Sequence, residues 1–268
     1  INFGVFNTRS LCNKTAGVFE YLVDHDIDVC LLSETWLRKG DTSKIAEIKE
    51  FGYKMYHQSR PGKGGGVAVA YKANLDVSRR NIPSYSSFEH IECVMKSPSS
   101  GLVRFISVYR SCTARLSTVS DFLRDFDEYL DSLTHLPGKL IIGGDFNIHM
   151  EDPDNSDAVK FATLIGNYGL KQHVTSSTHI GGGTLDLVLT RDSALDSLDL
   201  NNLTCDQTMT TSDHYFVSFT CTVPHQRGPN KVIKTGRRIK NIDMDLLRHD
   251  LLQSDINKES KLTDIESA

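Results

Sequence analysis

Apolar and polar positions along this chain follow two alternating rhythms. Phe3 to Asn7 reads as a short strand, and Ala16 to Val23 carries helical spacing at Phe19, Leu22 and Val23. Ile27 to Ser33 is a near-continuous apolar run, the pattern of a strand covered on both faces, and Glu34 ends it. A polar loop follows, then Gly64-Gly65-Gly66 feeding a strand at Val67 to Tyr71. Further strands are predicted at His90 to Met95 and Leu102 to Tyr109. Between Ser117 and Leu133 the residues Val119, Phe122, Leu123, Phe126, Leu130 and Leu133 recur at helical spacing, with Ser120 or Ser117 as the candidate cap. Lys139 to Ile142 is the next strand, and it delivers Gly143-Gly144-Asp145-Phe146-Asn147. A helix around Asp157 to Asn167 precedes strands at Leu170 to Val174, Thr184 to Thr190 and Tyr215 to Cys221.

Many strands with few long helices predict stacked sheets flanked by helices. The composition shifts after Val223, where Arg227, Lys231, Lys234, Arg237, Arg238 and Lys240 form a basic stretch without acidic relief. A short amphipathic helix with Met244, Leu247, Leu251 and Leu252 is predicted from about Asp243. The organisation is therefore read as one domain over residues 1–222 and a basic linker with a short helix over 223–268.

At 268 residues, with 39% hydrophobic and 24% charged residues, the composition is ordinary for a soluble globular protein. No apolar run approaches membrane-spanning length, and no charged-then-apolar leader suggests secretion. The chain opens at Ile1 inside a strand pattern, so a segment of a longer protein is expected. Six scattered cysteines, several within apolar runs, show neither zinc spacing nor a disulfide framework and predict reduced, structural thiols in an intracellular protein. The formal net charge of −4 is unlike a passive nucleic-acid binder. It suits an enzyme that gathers carboxylates around a divalent cation, and a metal can itself meet phosphates.

Hydrolysis of a phosphodiester needs a cation on the phosphate oxygens, an activated water and a group that holds the phosphate in line. Hard cations such as Mg²⁺ take oxygen ligands, usually one or two carboxylates. Glu34, Asp145, Asp186 and Asp213 are acids at strand ends that could converge on one mouth. In Asp145-Phe146-Asn147, side chains two apart on an extended segment share a direction, while Phe146 packs behind; a polar turn closing a strand is the plainer reading. In Ser212-Asp213-His214, a carboxylate beside an imidazole can fix its tautomer and raise its basicity; a cap beside a surface histidine is the alternative. Glu34 alone reads equally as an exposed residue at a strand mouth, and Asn7 as a turn amide. Asp186 sits inside an apolar strand, where a carboxylate needs a partner or a metal. Tyr109 could donate to a phosphate oxygen and Arg110 could pair with the backbone, or both could be packing residues.

These pieces, in this order, resemble the endonuclease/exonuclease/phosphatase superfamily, which includes deoxyribonuclease I and the exonuclease-III-type abasic endonucleases. The match runs over about residues 1 to 222, and the ordered set is far more specific than any one motif. Ser-Glu-Thr-Trp-Leu from Ser33, Gly-Gly-Gly-Val-Ala-Val-Ala-Tyr at 64 to 71, Gly-Asp-Phe-Asn-Ile-His at 144 to 149 and Thr-Leu-Asp-Leu-Val-Leu-Thr at 184 to 190 most resemble the endonuclease domain of LINE-type non-LTR retrotransposons. Residues 237 to 243 are similar to the connector leading to a reverse transcriptase, a region that this sequence does not contain.

The resemblance implies a deoxyribonuclease-I-like, four-layered α/β sandwich of two packed, mainly antiparallel sheets flanked by helices. It implies Mg²⁺, with Mn²⁺ as a substitute, held by Glu34 with help from Asn7 and with Asp186 supporting the metal or the histidine. Asp145 would align or deprotonate the water, and Asn147 would orient it and bind the phosphate. His214, oriented by Asp213, would bind or protonate at the scissile phosphate, with Tyr109 in contact. Thr178 and Arg110 are carried as substrate-binding positions. One departure is Arg9, where abasic endonucleases carry an acid two residues after the first-strand Asn. That shifts the metal onto Glu34 and makes a repair specificity less expected.

The leading expectation is a DNA-nicking endonuclease that leaves a 3′-hydroxyl, as in non-LTR retrotransposition. It would act as a monomer in the nucleus, without a membrane, or as part of a longer polyprotein with a reverse transcriptase. A phosphatase of the same fold acting on phosphoinositides, and an inactive remnant that only binds, are the alternatives.

Overall fold

The computed structural model describes residues 1–60, 62, 64–97, 101–113, 117–191, 198–209, 211–222 and 243–254. Residues 1–226 and 227–268 form two separate compact units.

The first unit is built on two six-stranded sheets. One sheet holds β1 (Asn2–Asn7), β2 (Val29–Ser33), β3 (Tyr53–Gln58), β4 (Val67–Lys72), β11 (Asp199–Asp206) and β12 (Phe216–Thr222), in the order β11-β12-β1-β2-β4-β3. The other holds β5 (Val77–Arg79), β6 (Glu89–Ser97), β7 (Gly101–Tyr109), β8 (Lys139–Asp145), β9 (Leu170–Gln172) and β10 (Asp186–Arg191), in the order β5-β6-β7-β8-β10-β9. Each sheet has one parallel pair, β1 with β2 and β7 with β8, and is otherwise antiparallel.

Three apolar clusters stack the layers. Phe3, Val5, Leu31, Val69, Phe105, Ile141, Val188 and Val217 fill the space between the sheets. α1 (Thr15–Asp24) and α2 (Thr42–Glu50) cover the outer face of the first sheet through Phe19, Leu22 and Ile48. α3 (Val119–Leu133) and α4 (Ser156–Asn167) cover the second through Phe122, Phe126, Phe161 and Ile165. Helix, sheet, sheet, helix is the four-layered sandwich that the resemblance implied. The central strands are buried on both faces, as in β2, where all five residues are buried; that is why they read as unbroken apolar runs.

The pattern reading placed the core strands and missed the periphery. α2 and β3 lie in the stretch read as a polar loop, because α2 buries only Ile48 and β3 alternates weakly. β5 and β11 were also missed; both are edge strands with mostly exposed or half-buried residues. α3 is capped by Thr118 rather than by Ser117 or Ser120. Its hydroxyl accepts from the Asp121 amide while the Asp121 carboxylate accepts from the Thr118 amide, a reciprocal capping box.

The register does the work of positioning. β8 is locked between β7 and β10, with Asp145 opposite Tyr109 on one side and Asp186 on the other. At Gly144, φ is +145° and a Cβ would meet the Val108 carbonyl oxygen, so only glycine lets β8 end against β7 in this way.

The second unit contains α5 (Met244–Gln253), with the Asp243 carboxylate accepting from the amides of Asp245 and Leu246. Met244, Leu247, Leu251 and Leu252 are exposed. The basic stretch, and with it the boundary read after residue 222, falls in residues outside the described ones. No helix among the described residues is long and apolar enough to cross a membrane. All six cysteines are free; Cys30, Cys93 and Cys221 are buried, whereas Cys112 is exposed.

Candidate active site

Strand ends from both sheets meet at one edge of the sandwich. β1 ends at Asn7 and β2 at Ser33, with Glu34 directly after; β7 ends at Tyr109, β8 at Asp145, and β10 starts at Asp186. Among the described residues, seven non-glycine positions have positive φ, and five of them (Arg9, Ser10, Glu34, Trp36 and Asn147) sit in the turns leaving these strands. Such conformations cost of order 1–3 kcal/mol each and persist where the surroundings hold them, most often at functional sites.

Asn7 is fully buried and its amide is the hub. Its Nδ2 donates to Asp145 Oδ2 at 2.8 Å and Glu34 Oε1 at 3.0 Å, and lies 3.4 Å from His214 Nε2. Its two amide hydrogens go to the two shorter contacts, both with carboxylates. The amide orientation is fixed by the Arg9 backbone N–H, which donates to Oδ1 at 3.0 Å. Asn7 thus turns its NH₂ into the cleft and holds the carboxylates of Glu34 and Asp145.

Asp145 is fully buried. Its Oδ1 accepts from the Asn147 amide at 2.9 Å, and its Oδ2 accepts from Asn147 Nδ2 at 2.9 Å as well as from Asn7. Phe146 packs behind, in the cluster beneath α3 and α4. The shared direction of Asp145 and Asn147 does not arise from an extended segment: Asn147 has φ of +50°, and a left-handed turn folds its side chain back. Burial pushes the Asp145 carboxyl well above the usual range, and the neighbouring Asp186 adds to the effect.

His214 Nδ1 and Asp186 Oδ2 are 2.7 Å apart, both buried. The sequence reading gave the orienting role to Asp213. Asp213 keeps a carboxylate oxygen within 4.8 Å of a His214 ring nitrogen, but it pairs with the Arg9 guanidinium and, at 3.5 Å, with His179 Nε2. The carboxylate that hydrogen-bonds the ring comes from β10. Burial alone would lower the His214 pKa; the charge of Asp186 and its hydrogen bond outweigh this and lift it to about 9. Nε2 faces Asn7 and lies 4.0 Å from Asp145 Oδ2. Ser212 ties the turn down, donating to the Asn7 carbonyl at 2.8 Å and accepting from the His214 amide at 3.2 Å.

Glu34 Oε2 accepts from the Trp36 indole at 3.2 Å. Burial first, then the charges of Glu34 and Asp145, raise the pKa of the Tyr109 phenol and keep it protonated. Arg110 and Thr178 are elsewhere. Arg110 is buried and donates to the carbonyls of Phe146 and Asn147, both at 2.7 Å, clamping the turn that carries Asn147. Thr178 is fully buried, and its hydroxyl accepts from the amides of Leu185 at 3.0 Å and Asp186 at 2.9 Å, fixing the start of β10. Neither side chain lies open to a substrate, against the expectation for both.

A divalent cation fits these donors. Asp145, Asp186 and His214 place ligand atoms within 4.8 Å of one another. Asp186 Oδ1 is buried without a hydrogen-bond partner, and two buried carboxylates face each other across β8 and β10. Positive charge is what such a pair lacks. Glu34 adds a partly accessible carboxylate beside them.

A profile of the endonuclease/exonuclease/phosphatase family matches residues 4–214. The chain belongs to this family. Sequence relatives point within it to mobile elements. The chain is 31% identical over 149 residues to the RNA-directed DNA polymerase from the mobile element jockey of Drosophila melanogaster, over 55% of this chain and 15% of that protein. It is 28% identical over 146 residues to the probable RNA-directed DNA polymerase from the transposon X-element of the same fly, covering 53% and 14%. The chain thus matches about one-seventh of the length of these relatives. Among solved structures, the endonuclease domain of TRAS1, a telomere-specific non-LTR retrotransposon, superposes with a TM-score of 0.65 at 15% identity, over 83% of this chain and 98% of that one. The 3′ phosphatase NExo from Neisseria, bound to a product DNA hairpin, gives 0.63 at 19% identity over 83% and 99%. At these identities the superpositions establish the fold, and the sequence relatives establish the likeness to retrotransposon proteins.

Proposed function

We propose that this family member is a divalent-metal-dependent endonuclease that nicks DNA and leaves a 3′-hydroxyl. The observation that carries the reading is the convergence of Asp145, Asp186 and His214, with Glu34 tied to Asp145 through Asn7, on one mouth, in a chain whose sequence relatives are retrotransposon polymerases. Glu34, Asp145 and Asp186 would hold the cation, Mg²⁺ or Mn²⁺, which would supply positive charge to the phosphate's non-bridging and leaving oxygens.

The chain's own residues divide the remaining work. With the cation's positive charge beside it, Asp145 would be ionised and placed to accept a proton from the attacking water. Asn7 and Asn147 fix its two oxygens, so it meets the water in one orientation. His214 carries a proton at Nε2 toward the phosphate, and Asp186 holds the ring from behind. Tyr109 donates from the opposite wall. Arg110, Thr178 and Ser212 are positioning residues that fix the turns bearing Asn147, Asp186 and His214. Asp213 and Arg9 form an ion pair at the rim.

Supercoiled plasmid provides the test. Nicking is expected with Mg²⁺, none with chelator, and a loss of about 10²–10⁴-fold in Asp145→Ala and in His214→Ala, the range for removing a proton-transfer group. The nicks should be extended by a DNA polymerase without prior end processing. Nicking that survives both substitutions overturns the mechanism. Turnover of an inositol phosphate without nicking assigns the site to a phosphatase.

A further inference from the structure

Glu34 stands in a turn that local preference alone would not hold. Glu34 and Trp36 both have positive φ, +49° and +55°, conformations costly for residues with side chains. The turn is restrained from two sides. Its carbonyls face the residues after β1: Glu34 O accepts from the Ser10 amide at 2.8 Å and the Thr8 hydroxyl at 3.0 Å, and Thr35 O from the Leu11 amide at 2.9 Å. Its amides face the glycines before β4: Thr35 donates to the Gly66 carbonyl at 3.1 Å and Trp36 to the Gly65 carbonyl at 2.8 Å. The Trp36 indole donates to Glu34 Oε2, so the same turn also aims the carboxylate.

The glycines are themselves pinned by a residue of the other sheet. Glu89 opens β6, opposite Tyr109 of β7. Its Oε2 accepts from the Gly66 amide at 2.6 Å, a short, charge-assisted bond, and its Oε1 lies 3.4 Å from Arg60 Nη1. Gly65 packs so closely on this pair that a Cβ would stand 2.4 Å from Glu89 Oε1 and 2.8 Å from the Arg60 guanidinium carbon. At Gly66 a Cβ would stand 2.8 Å from the Thr35 hydroxyl, and φ is +67° and +90° at the two positions. Close approach on both sides, with Glu89 behind and the Glu34 turn in front, therefore demands glycine twice. That accounts for a sequence motif to which the nuclease reading gives no task.

The path runs from the Glu89 carboxylate through the Gly66 peptide to the Thr35 amide, next to Glu34. It matters because the carboxylates at the mouth stand on different sheets. Asp145, Asp186 and Glu89 belong to the second sheet, whereas Glu34 follows β2 of the first. Apolar packing holds the sheets together but is non-directional. A hydrogen bond from the second sheet to the turn carrying Glu34 supplies the direction.

We infer that Glu89 is a positioning residue for cation binding: through Gly66 it holds the Glu34 carboxylate at the separation from Asp145 and Asp186 that a divalent cation requires. This inference rests on the nuclease reading, in which Glu34 is a ligand, and deepens it.

Two conservative variants of the full chain separate reach from charge. Glu89→Gln keeps an acceptor at the same distance from Gly66 without the charge, whereas Glu89→Asp keeps the charge and draws it back by one methylene. Mn²⁺ affinity, read from the EPR signal of the free ion, should fall about 10–100-fold in Glu89→Asp, the usual range for a group that orients a metal ligand. In Glu89→Gln it should stay near that of the unsubstituted protein. The Mg²⁺ concentration for half-maximal nicking should move by the same factor in Glu89→Asp, with kcat at saturating Mg²⁺ retained. Trp36 is the only tryptophan in the chain, so its emission in chelator reports on the turn directly; it should change in Glu89→Asp and not in Glu89→Gln. In a Glu34→Gln background, Glu89→Asp should weaken Mn²⁺ binding no further, because its effect passes through Glu34. Unchanged affinity in Glu89→Asp, equal losses in both variants, or a further loss in the Glu34→Gln background overturns the inference and leaves the nuclease standing. So does a Glu89→Asp protein that is unfolded in chelator, since the bond then holds the fold rather than the turn. An unsubstituted protein that binds no Mn²⁺ overturns both.

Discussion

At the scale of single residues, the site is organised by charge held out of water. Asp145 and Asp186 stand opposite each other across β8 and β10, with Asn7 and Asn147 bonded to the first and His214 to the second. In the metal-free protein both Asp145 and His214 have folded pKa values raised above their unfolded ones. A raised value means stability that is complete below the unfolded pKa and is lost as pH climbs through the folded one. For His214 that window runs from its ordinary value of 6.5 to about 9, and Asp145 contributes with the same sign from lower pH upward. Chelated protein is therefore expected to melt at progressively lower temperature as pH rises from 6.5 to 9. The His214 ring, followed by NMR, should titrate near 9, and in Asp186→Asn its pKa should fall, because the largest charge opposing burial is then gone. An unchanged titration in that variant would remove Asp186 as the orienting group.

Single elements carry their own buried charge. On the face of the second sheet beneath α3, Glu92 of β6 and Arg104 of β7 form an ion pair, and the Tyr129 hydroxyl of α3 donates to Glu92 at 3.3 Å. Both charged side chains are almost wholly buried, at 2% and 7% exposure. Removing one partner leaves the other charge uncompensated, which typically costs about 3–5 kcal/mol. Arg104→Ala should lose stability of that order in urea unfolding, whereas Glu92→Met with Arg104→Met should recover most of it. Equal losses in the single and double variants would show that packing, not the pair, is what matters there. The pair lies away from the strand ends, so the single variant's residual folded fraction should keep its metal response.

For the molecule as a whole, the carboxylates come from different layers. Glu34 directly follows β2 of the first sheet, and Asp145 and Asp186 belong to the second. A cation bound among them would bridge the two sheets and stabilise the folded state by mass action, by about 2.7 kcal/mol at a hundred times its dissociation constant. Mg²⁺ or Mn²⁺ should raise the melting temperature at pH 7.5 and flatten the pH dependence above. The rise should vanish in Glu34→Gln combined with Asp145→Asn. A melting temperature indifferent to both cations would remove this mouth as a metal site. Because residues 1–226 are a compact unit, the same rise is expected in a chain ending at Gln226.

Much of this protein was legible in the sequence because burial on both faces writes itself as unbroken apolar runs. β1, β2, β4, β7 and β8 were found that way, and strand ends bearing Asn7, Glu34, Tyr109 and Asp145 follow directly. The periphery was not legible, since α2, β3, β5 and β11 bury too little to impose a period. Partnership was not legible either. The resemblance made Asp213 the companion of His214 and left Asp186 between the metal and the histidine, whereas register between strands gives the ring to Asp186, 28 residues away. Thr178 and Arg110 look like substrate contacts in a motif, but their polar atoms are consumed by the backbone of the turns they fix. The sequence by itself determined which residues stand at the strand ends, because that depends on local pattern. Only the tertiary structure decided which of them touch and which way each amide and ring faces, because those follow from how two twisted sheets are registered and packed.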